Sequence, residues 1–134
     1  MPRKIFINLC VTDIVAATAF YTSIGATKNP TFSNETTSCM VFSDSIYVMI
    51  MLPPFFTQFV PPGKQTADSK KVSEVLLCIT VDKKEEVDEL VATAAREGGK
   101  ADPTKLPEME GMYGRSFEDL DGHVWELMWS ANEY

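Results

Sequence analysis

One carboxylate in this chain sits where a carboxylate has to do something. Within YGRSFEDLDGHVWELMW, Tyr113 to Trp129, Glu126 falls inside an otherwise apolar, strand-like run. A buried acid needs a partner, because taking an unpaired charge out of water is expensive. Three partners would give three chemistries. A cation would make Glu126 one half of a structural ion pair, a metal would make it a ligand, and a substrate proton would make it a general base. The only histidine, His123, is three residues away. An odd offset along a strand sends two side chains to opposite faces, so His123 reads as a turn residue. Cys10, Cys39 and Cys78 have no CxxC spacing. They read as reduced thiols of a cytoplasmic protein and as small buried hydrophobes. No glycine-rich phosphate loop, Ser–His–Asp set or paired zinc motif is present.

The segment that positions Glu126 reads as a hairpin. Asp119-Leu120-Asp121-Gly122 is its turn, with glycine available for positive φ and aspartate able to bond the local backbone. If Asp119 and Gly122 are the paired ends of a two-residue loop, Arg115 lies opposite Glu126 and Tyr113 opposite Met128. Arg115 is then the expected partner of the acid, bidentate where geometry allows.

The rest of the chain falls into two similar halves. Residues 4–12, KIFINLCVT, read as a buried strand. Asp13 looks like an N-cap, Ile14, Ala17, Phe20, Tyr21 and Ile24 recur at helical spacing, and Gly25 supplies the stop. Strands are predicted near 27–33, 37–43 and 46–52, and a short helix after Pro53-Pro54. A Pro-, Gly- and Lys-rich stretch over about 60–72 reads as a linker. The pattern then restarts: an apolar run at 75–81, a helix over KKEEVDELVATAAREGG, a strand near 100–103 and the hairpin 113–129. NLCVTD at 8–13 echoes LLCITVD at 76–82. The chain is thus two βαβββ modules, about 1–59 and 73–134, of an α+β protein.

Bulk composition narrows the function. A chain of 134 residues with 45% hydrophobic and 23% charged content makes one ordinary soluble domain. A net charge of −7 argues against nucleic acid and anionic membrane surfaces. No apolar run approaches the roughly 18 residues of a membrane span.

Two βαβββ modules, an Asp-capped FYTSIG helix after the first strand and DLDGHVWEL near the C-terminus resemble the vicinal oxygen chelate superfamily. That superfamily holds glyoxalase I, bleomycin-resistance proteins and extradiol dioxygenases. VMIML followed by MYGRSFEDLDGHVWELMW looks closest to the branch of predicted lactoylglutathione lyases. The resemblance implies a curved mixed sheet of eight strands around a central cleft, and a homodimer. It also implies a site whose metal ligands, in metal-dependent members, open the first strand of each module and lie on its last strand. Carried onto this chain, those positions are Phe6, Met49, Leu76 and Glu126. That is one carboxylate and three apolar side chains, whereas a catalytic zinc or nickel needs about three protein ligands. No cofactor is therefore expected, and a divalent metal is disfavoured.

Strand parity then predicts a pocket. Phe6, Asn8 and Cys10 share one face of the first strand, while Ile5, Ile7, Leu9 and Val11 pack under the helix. Leu76, Cys78 and Thr80 share a face in the second module. Tyr47, Met49 and Met51 join the first set, and Val124, Glu126 and Met128 the second, with Tyr113 and Arg115 beside them. A lining of Met, Phe, Leu, Cys and Tyr with few polar points suits a small-molecule ligand, though a closed core has the same composition. The expected function is small-molecule binding with a degenerate metal site. The alternatives are a metal-dependent lyase or isomerase resembling lactoylglutathione lyase, and a metal-independent enzyme using Glu126 as base.

Overall fold

A computed structural model describes residues 2–134. The chain divides into two compact units, one ending at Asp68 and the other starting at Ser69. In the first, β1 (Ile5–Cys10) leads into α1 (Ile14–Ser23), then β2 (Thr27–Asn29), β3 (Thr37–Val41) and β4 (Ile46–Met51). The sheet order is β1-β4-β3-β2, with β1 parallel to β4 and the other pairs antiparallel. The Asp13 carboxylate accepts from the Ala16 N–H at 3.0 Å, so the predicted cap starts the helix. Ala17, Phe20 and Tyr21 then bury one helix face against β3 and β4, where Met40, Val48 and Ile50 are wholly enclosed. A short helix, α2 (Pro53–Phe56), and a 3-10 turn (Thr57–Phe59) follow, as Pro53-Pro54 suggests.

The second unit repeats the plan. β5 (Leu77–Thr80), α3 (Lys84–Arg96), β6 (Lys100–Ala101), β7 (Met112–Glu118) and β8 (Val124–Ser130) form a sheet ordered β5-β8-β7-β6. Val87, Val91 and Ala94 of α3 cover β7 and β8, and Trp125 stacks on Phe117 with ring centroids 6.3 Å apart. The eight predicted strands are all present, four to each sheet. Several are shorter than predicted, three of them for a local reason. Pro30 turns β2 into a 3-10 segment, and the first part of the 75–81 run stays outside β5. Asp102, at φ 51°, ends β6 after two residues.

The hairpin corrects one expectation. Asp119 N–H donates to the His123 carbonyl at 3.0 Å, and Gly122 at φ 87° closes the loop. The loop therefore has three residues, Leu120 to Gly122, and not two. The Asp119 carboxylate fixes it by accepting from the N–H groups of Asp121 and His123 at 2.9 and 2.8 Å. One extra residue slips the register by one. Ser116, not Arg115, lies opposite Glu126; Arg115 faces Leu127, and Tyr113 faces Trp129 instead of Met128.

Candidate functional site

Each sheet has one face under its helix and one face turned away from it. In the first unit the latter carries Phe6, Asn8 and Cys10 of β1, with Tyr47, Met49 and Met51 directly beside them on β4. Phe6 stacks on Tyr47 at 4.5 Å, and about half of Phe6 is exposed. Asn8 is exposed, Cys10 and Met49 are half-buried, and Met51 is buried. Leu9 and Val11 are buried, as parity predicts for the helix-side face, and Ile5, at the strand's start, is exposed.

In the second unit the corresponding face carries Cys78 and Thr80 of β5, which pair with Glu126 and Met128 of β8. Leu76 lies just before β5 and is exposed. Equivalent hydrogen bonds register the two modules on one another. Val11 N–H donates to the Met51 carbonyl at 2.9 Å, and Val81 N–H to the Met128 carbonyl at 3.0 Å. Counting back from these bonds, Met49 corresponds to Glu126, Asn8 to Cys78 and Phe6 to Leu76.

Glu126 has cross-strand neighbours of modest chemistry. On one side is the exposed Cys78, whose thiol is pushed up by partial burial and by the Glu126 charge. On the other is Ser116, wholly buried, whose hydroxyl donates to the Thr104 carbonyl at 2.8 Å. Among the described residues Glu126 makes no salt bridge. No three His, Cys, Asp or Glu side chains of those residues lie close enough together to hold a metal ion.

Arg115 belongs to a different cluster, on the α3 side of the sheet. Its Nε and Nη2 donate to the two carboxylate oxygens of Asp102 at 3.0 and 2.6 Å, and Nη1 donates to Asp88 of α3 at 2.9 Å. Tyr113 donates its hydroxyl to Asp88 at 2.6 Å. The hydrogen bonds from Tyr113 and Arg115 hold the Asp88 carboxyl below the usual range, and those from Arg115 do the same for Asp102. The Tyr113 hydroxyl is raised by its bond to Asp88. The Lys84 ammonium lies over the rings of Tyr113 and Trp129, 5.4 and 5.8 Å from their centroids.

Beside β7 runs a groove of about 580 Å³. It exists because β6 stops at Ala101, so the outer edge of β7 from Met112 to Arg115 has no neighbouring strand. The loop after β6 swings out and returns, bringing Lys105, Leu106, Pro107, Glu108 and Met109 to the opposite wall. Met112, Gly114 and Met128 form the floor, and Tyr113, Arg115 and Asp102 flank it. The groove thus gathers Tyr113, Arg115 and Met128 from the sequence-predicted lining. It does not include Glu126 or Cys78. Sequence reasoning missed Asp102, Leu106, Met109, Met112 and Gly114; the only signal was the Pro103, Pro107 and Gly111 punctuation of a long loop. Among the described residues no helix is long and apolar enough to cross a membrane.

No family model and no curated protein sequence matches the chain. Solved structures do. A hypothetical protein from S. aureus is similar over 96% of this chain and 94% of its own, at 25% identity and a TM-score of 0.76. A glyoxalase/bleomycin resistance protein/dioxygenase family enzyme from Burkholderia phytofirmans is similar over 92% and 94%, at 20% identity and a TM-score of 0.74. The fosfomycin resistance protein FosX from Listeria monocytogenes is similar over 100% and 95%, at 21% identity and a TM-score of 0.66. The chain thus has the fold of a glyoxalase/bleomycin resistance protein/dioxygenase family enzyme and of FosX over nearly its whole length, the paired βαβββ fold that the sequence resemblance implies.

Proposed function

We propose that this protein binds a small, largely apolar molecule in the groove beside β7, and that its fold's metal site is degenerate. The observation that carries the reading is the groove itself. Its floor is methionine and bare glycine backbone, its far wall is Leu106, Pro107 and Met109, and its volume suits a small ligand. The metal positions support it. Phe6, Met49 and Leu76 offer no imidazole or carboxylate, and the nearest donor beside Glu126 is a single thiol. One carboxylate and one thiol do not fit a transition-metal centre of three protein ligands.

Two measurements test this. Methyl-labelled methionines give an NMR signal for Met109, Met112 and Met128, and titration with naphthalene-2-methanol should shift those three while leaving Met40 still. Elemental analysis of purified, dialysed protein should find no stoichiometric zinc, nickel or manganese, and added metal should elicit no turnover of the methylglyoxal–glutathione adduct. Unmoved methionines, or one tightly held metal per chain, would overturn the reading. The freedom of Glu126 from Arg115 favours a second reading, metal-independent proton transfer with Glu126 as base. Glu126→Gln would then abolish turnover of a substrate without changing its binding.

A further inference from the structure

The floor of the groove carries an unused pair of backbone groups. Alternate residues of a strand direct their N–H and C=O to the same side. On β7, Asp119 faces β8 through its bond to His123, so Phe117, Arg115 and Tyr113 do too. Ser116 therefore faces outward, and its carbonyl accepts from Asp102 N–H at 2.8 Å. Met112 also faces outward, and its N–H donates to the Met109 carbonyl at 3.1 Å. Gly114 lies between them with the same orientation. Its N–H and C=O point into the groove, where among the described residues nothing bonds to them. A donor and an acceptor left bare on an apolar floor are what a ligand must satisfy to displace water without loss. The space where a Gly114 side chain would stand is filled by the Met128 thioether, so the strand's edge meets the groove beside a methionine surface.

We infer that Gly114 is a docking point for a neutral, apolar ligand with a peptide-like pair of polar groups: an N-acyl amino-acid amide or a very short apolar peptide. Its N–H donates to the Gly114 carbonyl and its C=O accepts from the Gly114 N–H, as one residue of an added antiparallel strand. Its side chain rests on Met112 and Met128. The groove is lined by β7 only from Met112 to Arg115, opposite Leu106 to Met109, which suits a ligand of one or two residues. Arg115 does not compete for an anionic group, because Asp88 and Asp102 already occupy three of its nitrogens. This inference rests on the groove being the binding site, and the test separates the two.

N-acetyl-leucine methylamide is titrated into the full chain, with the Gly114 amide and the Met112 and Met128 methyls followed by NMR. The expected result is a downfield shift of the Gly114 amide proton together with the methyl shifts. The analogue N-methylated at leucine, which cannot donate, should bind about tenfold more weakly, the loss of one hydrogen bond. Equal binding of the two analogues, or methyl shifts without movement of the Gly114 amide, would overturn the inference. Naphthalene-2-methanol serves as the control. If it moves the methionines and the amides do not, the groove reading stands and the docking point falls; if none of the three moves them, both fall.

Discussion

Gly114→Ala is the most informative single change in this chain, because its cost falls on one named neighbour. A Cβ at residue 114 would lie 2.5 Å from Met128 Cε, 2.9 Å from its sulfur and 3.1 Å from the Leu127 carbonyl oxygen. Met128 is the direct cross-strand partner of Gly114 and is half-buried, so its thioether can swing away into the groove. The Leu127 carbonyl is backbone and gives much less. Overpacking of this kind costs about 1–3 kcal/mol, and the flexible neighbour puts it near the lower end. Against it stands a gain of about 0.4–1 kcal/mol from restricting the unfolded chain. The net expectation is a loss of about 0.5 kcal/mol or less. Met128→Ala removes the first two collisions and leaves the third. In the double variant the two losses should therefore fall short of their sum by about 1 kcal/mol. Urea denaturation of the parent, both single variants and the double variant, at constant m-value, measures that coupling. A coupling below about 0.3 kcal/mol would mean that Met128 does not lie over Gly114.

Three further expectations concern the ion cluster, the helix cap and the thiols. An Arg115–Asp102 double-mutant cycle should couple by no more than about 1 kcal/mol, since the two side chains are 29% and 44% exposed, and an Arg115–Glu126 cycle should not couple at all. Because Asp88 and Asp102 have lowered carboxyl values in the folded state, their contribution is complete above about pH 4, the unfolded range, and fades as pH falls through the folded values. An acid titration of the urea midpoint in parent and Arg115→Ala checks the sign. Asp13→Ala should cost about 1 kcal/mol by thermal or urea unfolding, through the lost bond to Ala16 N–H. Cys39, wholly buried, should resist alkylation until unfolding, whereas exposed Cys78 should react in the native protein and faster as pH rises, its thiol being held protonated by burial and by Glu126.

The architecture was legible in the sequence because it is written in periodicity. Leu9 and Val11 on one side of β1, Phe6, Asn8 and Cys10 on the other, and the Asp13 cap follow from alternation and a single side-chain bond. The pairing of Arg115 was not legible, because DLDG suits a loop of two residues or of three. The choice is made by Asp119, whose carboxylate closes on the N–H of His123 as well as that of Asp121. One residue of slip then moves Arg115 to the α3 side, where Asp88 arrives from 27 residues away. The groove was hidden for a related reason. It depends on β6 stopping after two residues, and the residue that stops it, Asp102, does so by entering positive φ and clasping Arg115. Neither step leaves a pattern in the sequence.

The softness of the groove has a chemical cost. Three of the seven methionines, Met109, Met112 and Met128, line this one cavity, and Met109 is 49% exposed. Thioethers take up oxygen from peroxide and become polar, chiral sulfoxides. A floor built to adapt to apolar surfaces would become one that prefers water, with no change in the fold around it. The proposed binding is therefore perishable in a way that stability is not, and a preparation aged in air should keep its melting temperature while losing affinity for an apolar probe such as naphthalene-2-methanol.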